Sequence, residues 1–432
     1  MVDHRKLYGP LLKRTLINYQ AQHLARHFDF TRESRILKLL ITTINQAMEE
    51  AEALVGIKRV QPFELYLKKE HQEIILPLLK PEYLEPLFAG ESFKECRKLI
   101  QQNCLAKMQL KLPQASEEDL LRVIDGWSLV RRGGRSRYQD NLALKMEHPD
   151  KEELKELKKF LDNLEAKSPF DRMKTPDFSA PEKLLTQLTE FVKEEAGLGE
   201  RVASRLVEEV ITLRSAVCPR TTVLKSGEMP LLVTHVKAYL SEEVATEYRR
   251  LAPVIVSVIT SKELAFAPLT VENYLKALKR RLVRVCFQAY RQNGLVTQQE
   301  LQWIFQLSTA RISELLRSFQ REFNIIVPTP GTVLDAGKSM THKDIIVRLY
   351  LEGLNVKEIS RRTYHSPRAV DNYIGTFERV LLLSLFGLNK NLMARVLKKG
   401  PTLIAEYLKL VEEYYQDCQA IKEYLLARGV KL

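Results

Sequence analysis

Basic and amide side chains spaced as in a helix-turn-helix are the residues of this sequence best placed to do chemistry, and that chemistry would be recognition of duplex DNA. Lys357, Arg361 and Arg362 precede a short turn, Thr363-Tyr364-His365, and Ser366, Arg368 and Asn372 follow it. In the major groove Arg reads guanine and Asn reads adenine, each through a pair of hydrogen bonds. Arg395, Lys398 and Lys399 surround a second turn, Lys398-Lys399-Gly400, suited to phosphate. Thr309, Arg311 and Arg317 lie on the helix that follows a third, upstream turn. Residues 357–399 hold nine basic side chains and three acidic ones (Glu358, Asp371, Glu378).

Other chemistries fit less well. His365-x-x-Arg368 matches part of the tyrosine-recombinase constellation, and Tyr407 or Tyr414 would have to be its nucleophile. The start of a helix at Ser366-Pro367 already accounts for His365 and Arg368 as flanking residues. His23 and His27 have H-x-x-x-H spacing, but Leu24, Ala25 and Arg26 lie between them, with no Glu beside the first and no evident third ligand. No catalytic residue, metal or cofactor is assigned. Arg131–Arg137, four arginines in seven residues, reads as a solvated basic loop. A metal-dependent transposase would need three carboxylates on a strand-rich core, and this chain is strand-poor. A helical adaptor that binds another protein is the remaining alternative to DNA binding.

Charge agrees with the motifs. The 432 residues carry 67 basic and 54 acidic side chains, a net of +13. Residues 271–432 hold 25 basic and 15 acidic, a net of +10, which leaves +3 for residues 1–270. A positive charge gathered at one end fits a polyanionic partner. With only 17 glycines, hairpin-rich β folds are disfavoured and helices favoured. The longest run without a charged residue, Phe323–Leu334, is too short to cross a membrane. Five scattered cysteines with no C-x-x-C pair suggest neither a disulfide framework nor a zinc ribbon, and imply a reducing, cytoplasmic setting.

The elements that must hold these residues are mainly helical, with minor β content. Residues 1–167 read as an N-terminal helical region. In it Arg32–Glu52 carries Ile36, Leu39, Leu40, Ile44 and Ala47 near helical spacing. Residues 168–181, with three prolines, read as a linker. Residues 182–268 read as an α+β region whose uncharged run Pro253–Thr260 predicts a buried strand. Residues 269–340 predict a winged-helix-like unit. A long helix, Val271–Gln292, stops at Asn293-Gly294, Thr297–Glu300 forms a capping box, and Ser308 caps the next helix. That helix would bury Ile312, Leu315, Leu316 and Phe319, and Asn324–Val333 would form a β wing. Residues 341–385 predict a second helix-turn-helix, with Asn355 and Ser366-Pro367 starting its helices. Residues 386–432 predict a third helix-turn-helix-like hairpin and a C-terminal helix. Gly353-Leu354-Asn355 recurs as Gly387-Leu388-Asn389, and on the same offset Pro367 meets Pro401 and Tyr373 meets Tyr407. That is the mark of a duplicated unit.

Several runs in the last two fifths of the chain carry a family resemblance. They are Leu295–Glu300, Ile325–Thr329, Thr341-His342-Lys343, Leu349–Gly353, Glu358-Ile359-Ser360, His365–Val370, Tyr373-Ile374 and Phe377–Val380. Over about residues 230–415 the sequence resembles the prokaryotic "domain of unknown function sixteen-seventy" family. The resemblance implies a bacterial or archaeal helix-turn-helix protein and supplies no catalytic residues. The expectation is a sequence-specific double-stranded DNA-binding protein, a transcriptional regulator or mobile-element accessory factor. Its partners would be duplex DNA and a second copy of itself in a homodimer, with no membrane, and any small-molecule effector is left unnamed.

Overall fold

The computed structural model describes residues 4–28, 30, 35–69, 72–117, 120–121, 123–124, 151–164, 167–172, 181–238, 250–260, 263, 271–323, 325–334, 340–414, 423 and 427. The Arg131–Arg137 loop, most of the 168–181 linker, Cys418 and most of the stretch after residue 414 lie outside these. The fold is mainly α with small antiparallel sheets. Among the described residues no helix is long and apolar enough to cross a membrane. The chain divides into two compact units, residues 1–143 with 155–316, and residues 144–154 with 317–432.

The first unit opens with α1 (His4–Leu12), α2 (Leu16–His27) and α3 (Arg35–Leu54). A hairpin of β1 (Glu64–Lys69) and β2 (Gln72–Pro77) follows, then α4 (Pro81–Phe88), α5 (Phe93–Lys111), α6 (Lys151–Asp162), whose residues up to 154 fall in the second unit, and α7 (Pro169–Arg172). Next come α8 (Glu182–Ala196), α9 (Glu200–Val217), β3 (Glu228–His235), β4 (Leu251–Ser257), α10 (Val271–Arg291), β5 (Gly294–Leu295) and α11 (Gln298–Phe305). Helix α12 (Thr309–Phe323) runs across the division between the units. The helices α2, α3, α8 and α9 share one core of Leu24, Leu40, Ile41, Ile44, Val192, Val207 and Val210, onto which Leu232 of β3 also packs.

The helical spacing in Arg32–Glu52 is met by α3, and one expectation for residues 1–110 is corrected. The buried stripe of α3 is Leu37, Leu40, Ile41, Ile44 and Met48, whereas Ile36 and Leu39 are 46% and 48% exposed. Apolar residues lie almost all round this helix, so its partners rather than its own pattern choose the buried face. The region is not wholly helical. The β1–β2 hairpin escaped the sequence reading because Glu70-His71, between its strands, carries none of the usual turn residues.

The strand expected in Pro253–Thr260 is β4. It pairs antiparallel with β3, from Glu228↔Ser257 to Thr234↔Leu251, and β3 pairs on its other side with β5 through Thr234↔Leu295. The segments 182–268 and 269–340 therefore share one sheet. The outer edge of β4 would leave backbone groups unpaired, and α10 covers it. Gln288 Oε1 accepts from Ser257 N–H (2.8 Å) and Gln292 Oε1 from Ile255 N–H (2.9 Å), while Gln292 Nε2 donates to Ile255 O (2.8 Å). Gly294 is required by packing, since a Cβ there would lie 2.4 Å from Val233 Cγ2 and 2.7 Å from Val254 Cγ1.

The expected β wing is absent. Ile325–Thr329 is extended without a strand partner, and Pro330–Val333 forms a single helical turn, α13. Ile326 and Val327 are fully buried, so the segment is a strap over the core rather than a projecting hairpin. Pro328 and Pro330 have no N–H to give to a ladder. Side chains satisfy the strap instead: Val327 N–H donates to Gln320 Oε1 (2.9 Å), and Thr332 Oγ1 donates to Val327 O (2.8 Å).

The rest of the second unit is helical: α14 (Met340–Leu351), α15 (Val356–Thr363), α16 (Pro367–Leu385), α17 (Lys390–Val396) and α18 (Pro401–Tyr414). One core joins α14, α15 and the start of α16 through Ile345, Ile346, Leu349, Ile359, Val370 and Ile374. A second joins the end of α16 to α17 and α18 through Phe377, Val380, Leu381, Met393, Ile404 and Tyr407.

The first unit also depends on a buried charge cluster. Arg59 donates to both oxygens of Glu52 and, through Nη1, to Cys218 O (2.8 Å), while Arg214 Nη2 reaches Glu52 at 3.1 Å. Burial alone would raise the Glu52 pKa, but the two guanidiniums outweigh it and hold the carboxyl below its ordinary range. Removing one member of such a cluster leaves uncompensated buried charge. Glu52→Gln is therefore expected to cost about 3–5 kcal/mol, read as a fall in the urea midpoint of the first unit. A loss below about 1 kcal/mol, the level of a surface pair, would contradict this.

Candidate nucleic-acid interface

Each of the three turns is built from the same punctuation. The first has Thr297 as N-cap, Gln306 in the left-handed region (φ 58°) and Ser308 capping the next helix, where its Oγ accepts from Arg311 N–H. The second has Asn355, Tyr364 (φ 60°) and Ser366. The third has Asn389, Lys398 (φ 51°) and Gly400, followed by Pro401 at the helix start. In each, the left-handed residue lies nine positions after the first cap, and the second helix starts from a residue eleven after it.

The duplication read in residues 341–432 extends to backbone detail. Gly353 and Gly387 both have positive φ (87° and 69°), and the N–H of the next residue closes the same bond in each, Leu354 to Leu349 O and Leu388 to Leu383 O.

In the second helix-turn-helix, Lys357, Arg361 and Arg362 on α15 are exposed, as are Ser366, Arg368, Asp371 and Asn372 on the first turns of α16. Arg368 and Asn372 are four apart and so share a helix face. Ser366 Oγ accepts from Ala369 N–H (3.2 Å), and Pro367 occupies the first helical position. Around the third turn Arg395 and Lys398 are exposed and Lys399 is half-buried. Lys390, which the sequence reading passed over, is exposed at the start of α17 and no periodic pattern marks it. None of Lys357, Arg361, Arg362, Arg368, Arg395, Lys398 and Lys399 forms an ion pair with a described residue. Helix α18 offers a different surface. Glu412 and Glu413 are exposed, and Glu406 pairs with Lys343 at 2.7 Å.

The first helix-turn-helix is poorer in available charge. Thr309 is half-buried, and Arg311 Nη1 is held by Glu314 at 2.7 Å. Arg317 is exposed. In the remainder of the first unit, Arg14, Arg59, Arg172, Arg214, Arg281 and Arg284 are all in ion pairs, and each side chain is no more than 12% exposed.

The recombinase constellation is not assembled. The His365 ring is buried, packs edge-on to Tyr373 and holds Nδ1 2.6 Å from Thr363 O, while Arg368 faces solvent. Tyr407 is 2% exposed. Tyr414 donates its hydroxyl to Asp344 and accepts from Arg348 Nη2 (3.1 Å), and burial together with Asp344 raises its pKa. His23 and His27 stack with ring centroids 4.3 Å apart. Among the described residues no group of three or more His, Cys, Asp or Glu is placed to hold a metal ion.

A left-handed backbone costs an L-residue roughly 1–2 kcal/mol, less what glycine would add to the unfolded chain's freedom. Lys398→Gly is therefore expected to stabilise the second unit by about 0.5–1 kcal/mol, seen as a higher denaturation midpoint. A lower midpoint would show that the lysine stem contributes packing that outweighs the strain.

A family model described as a protein of unknown function (DUF1670) matches residues 194–410, taking in the β3–β4–β5 sheet and all three turns. No curated protein and no solved structure matches the chain.

Proposed function

The chain belongs to the DUF1670 family of proteins of unknown function, and we propose that it is a sequence-specific duplex DNA-binding protein, acting as a transcriptional regulator or mobile-element accessory factor. The observation that carries this is the contrast in cation use. The first unit's buried arginines are neutralised internally, whereas Arg361, Arg362, Arg368 and Arg395, flanking the second and third turns, are exposed and pair with no acidic group among the described residues. Exposed, unneutralised cations beside a helix-turn-helix are what phosphate contact requires.

In this proposal α16 enters the major groove. Its first turns bring Arg368 and Asn372 to base edges, while Lys357, Arg361 and Arg362 meet the flanking phosphates. Asp371, exposed on the same turns, repels phosphate and must face a base or solvent. The third turn contributes Arg395, Lys398 and Lys399 to phosphate but not a reading helix, because the first turns of α18 carry Thr402 and the ion-paired Glu406 where α16 carries Arg368 and Asn372. The exposed Phe386, Leu392 and Val396 favour a second reading, in which this end docks a protein partner such as a second copy.

Selection from a random duplex pool with the full chain tests the assignment. Arg368→Ala and Asn372→Ala are each expected to lose about 1–3 kcal/mol of discrimination at one base position. Lys398→Ala and Lys399→Ala should weaken all sequences alike, and each should reduce the slope of log affinity against log salt by about 0.9. An Arg368→Ala protein that selects the same motif with undiminished discrimination would overturn the placement of α16. A wild-type chain with no salt-dependent affinity for DNA would leave the adaptor reading in its place.

A further inference from the structure

Helix α16 carries a glycine that its own packing does not call for. Gly375 lies inside the helix without a positive φ, and among the described residues a Cβ built there would meet no atom within 4 Å beyond its own stretch of helix. Glycine gives up more backbone freedom on folding than alanine, so a glycine at such a position weakens the helix. Other glycines of the chain have local reasons. Gly353 and Gly387, which follow α14 and α16, take φ 87° and 69°, and Gly294 is held by close packing. Gly375 has neither reason.

Its place on the helix is informative. At about 100° of rotation per residue, Asp371, Gly375, Arg368, Arg379 and Asn372 fall in that order across an arc of roughly 100°. Val370, Ile374 and Phe377, which enter the cores, lie on the opposite side. Arg368, Asp371, Asn372 and Arg379 are all exposed. Arg368 and Asp371 are of opposite sign and three apart, yet they do not pair, whereas Arg311 and Glu314 at the same spacing on α12 do so at 2.7 Å. The outer face of α16 is thus a bare patch of backbone bordered by side chains that the fold leaves uncommitted.

We propose that Gly375 is the point at which α16 comes closest to duplex DNA, and that its missing Cβ sets how deep the helix sits in the major groove. The proposal rests on the reading of α16 as the helix that enters the groove, and adds the residue that positions it there. Glycine suits a place where backbone must approach a ligand closely. The major groove is about 12 Å wide and a helix with its side chains about 10–12 Å across, so one added side chain on the leading face changes the depth of seating. Depth also gives Asp371 a role. Phosphate would repel it, but once the helix reaches the groove floor its carboxylate can accept from the amino group of a cytosine.

The test uses the full chain, the duplex that it selects from a random pool, and an unselected duplex of the same length. Gly375→Ala is expected to raise the thermal midpoint of the second unit by about 2–4 °C, because alanine suits an open helix position. The same variant should bind the selected duplex at least about tenfold more weakly, and Gly375→Leu more weakly still. Affinity for the unselected duplex should stay within about twofold of the wild type in both, because phosphate contacts from Lys357, Arg361 and Arg362 do not need that depth. A gain in stability with a loss of selective binding is not what a merely structural glycine would give. If both variants bind the selected duplex as tightly as the wild type, the proposal is overturned and DNA recognition by α16 stands. A lower midpoint in Gly375→Ala, or an equal loss on both duplexes, also overturns it, since either assigns the glycine to the fold. A wild type that selects no duplex ends the DNA reading itself, and this proposal with it.

Discussion

One backbone constraint recurs through the half of the chain that carries the helix-turn-helix units: a residue forced into the left-handed region between two capped helices. Gln306, Tyr364 and Lys398 each take φ between 51° and 60°, a conformation that favours glycine, and none of them is glycine. Such strain persists only where the surroundings over-determine it. Here they do. A capping residue nine positions earlier fixes where the first helix starts, and the residue two positions later fixes the start of the second. At Tyr364 the turn is closed further by Ser360 Oγ donating to His365 O (2.5 Å) and by the buried His365 ring. The angle between the helices, and with it the exposure of Arg368 and Asn372, follows from this turn.

The two units treat positive charge differently. In the first, the buried arginines act as structural donors. Arg284 gives Nε to Ser257 O (2.9 Å) and Nη2 to Val258 O (3.1 Å) while it pairs with Glu263. The Glu263 carboxyl, although burial would raise it, is held at about 2 by Arg284 and Arg281. Such charge is satisfied within the fold and has little left for a ligand. Around the second and third turns the cations end in water, where a phosphate can displace solvent and counterions. Net charge alone did not separate these uses. The +10 of residues 271–432 includes Arg281 and Arg284, which are structural.

Local signals were legible in the sequence and long-range ones were not. The capping box at Thr297, the caps at Asn355 and Ser366 and the Gly353/Gly387 repeat depend on neighbours a few residues away, and the structure has them all. The wing failed because Ile325-Ile326-Val327 has strand propensity, while Pro328 and Pro330 and the Gln320 side chain decide its hydrogen bonds. The sheet behind the first helix-turn-helix comes from β3, some sixty residues upstream of β5, and no periodicity in 269–340 announces that pairing. Exposure of the candidate cations followed from helix phase. The capture of Arg311 by Glu314, three residues on, could also have been read from spacing.

Helix α16 shows why the duplicated units cannot do the same work. It is the last helix of the second helix-turn-helix and the first helix of the third hairpin, so it is packed from two directions. Its first half gives Val370 and Ile374 to one core, and its second half gives Phe377, Val380 and Leu381 to the next, with Leu382, Leu383 and Leu385 half-buried beside them. Little of its second half remains for a ligand beyond Arg379. A helix with that distribution can offer a groove only its first turns, which carry Arg368, Asp371 and Asn372. The corresponding helix of the next repeat, α18, has no such neighbour beyond it among the described residues, and at the positions of Arg368 and Asn372 it carries Thr402 and Glu406, the latter paired with Lys343. The shared scaffold thus fixes two turns of one geometry, and the side chains on the first turns, Arg368 and Asn372 in α16 against Thr402 and Glu406 in α18, are what distinguish the two helices.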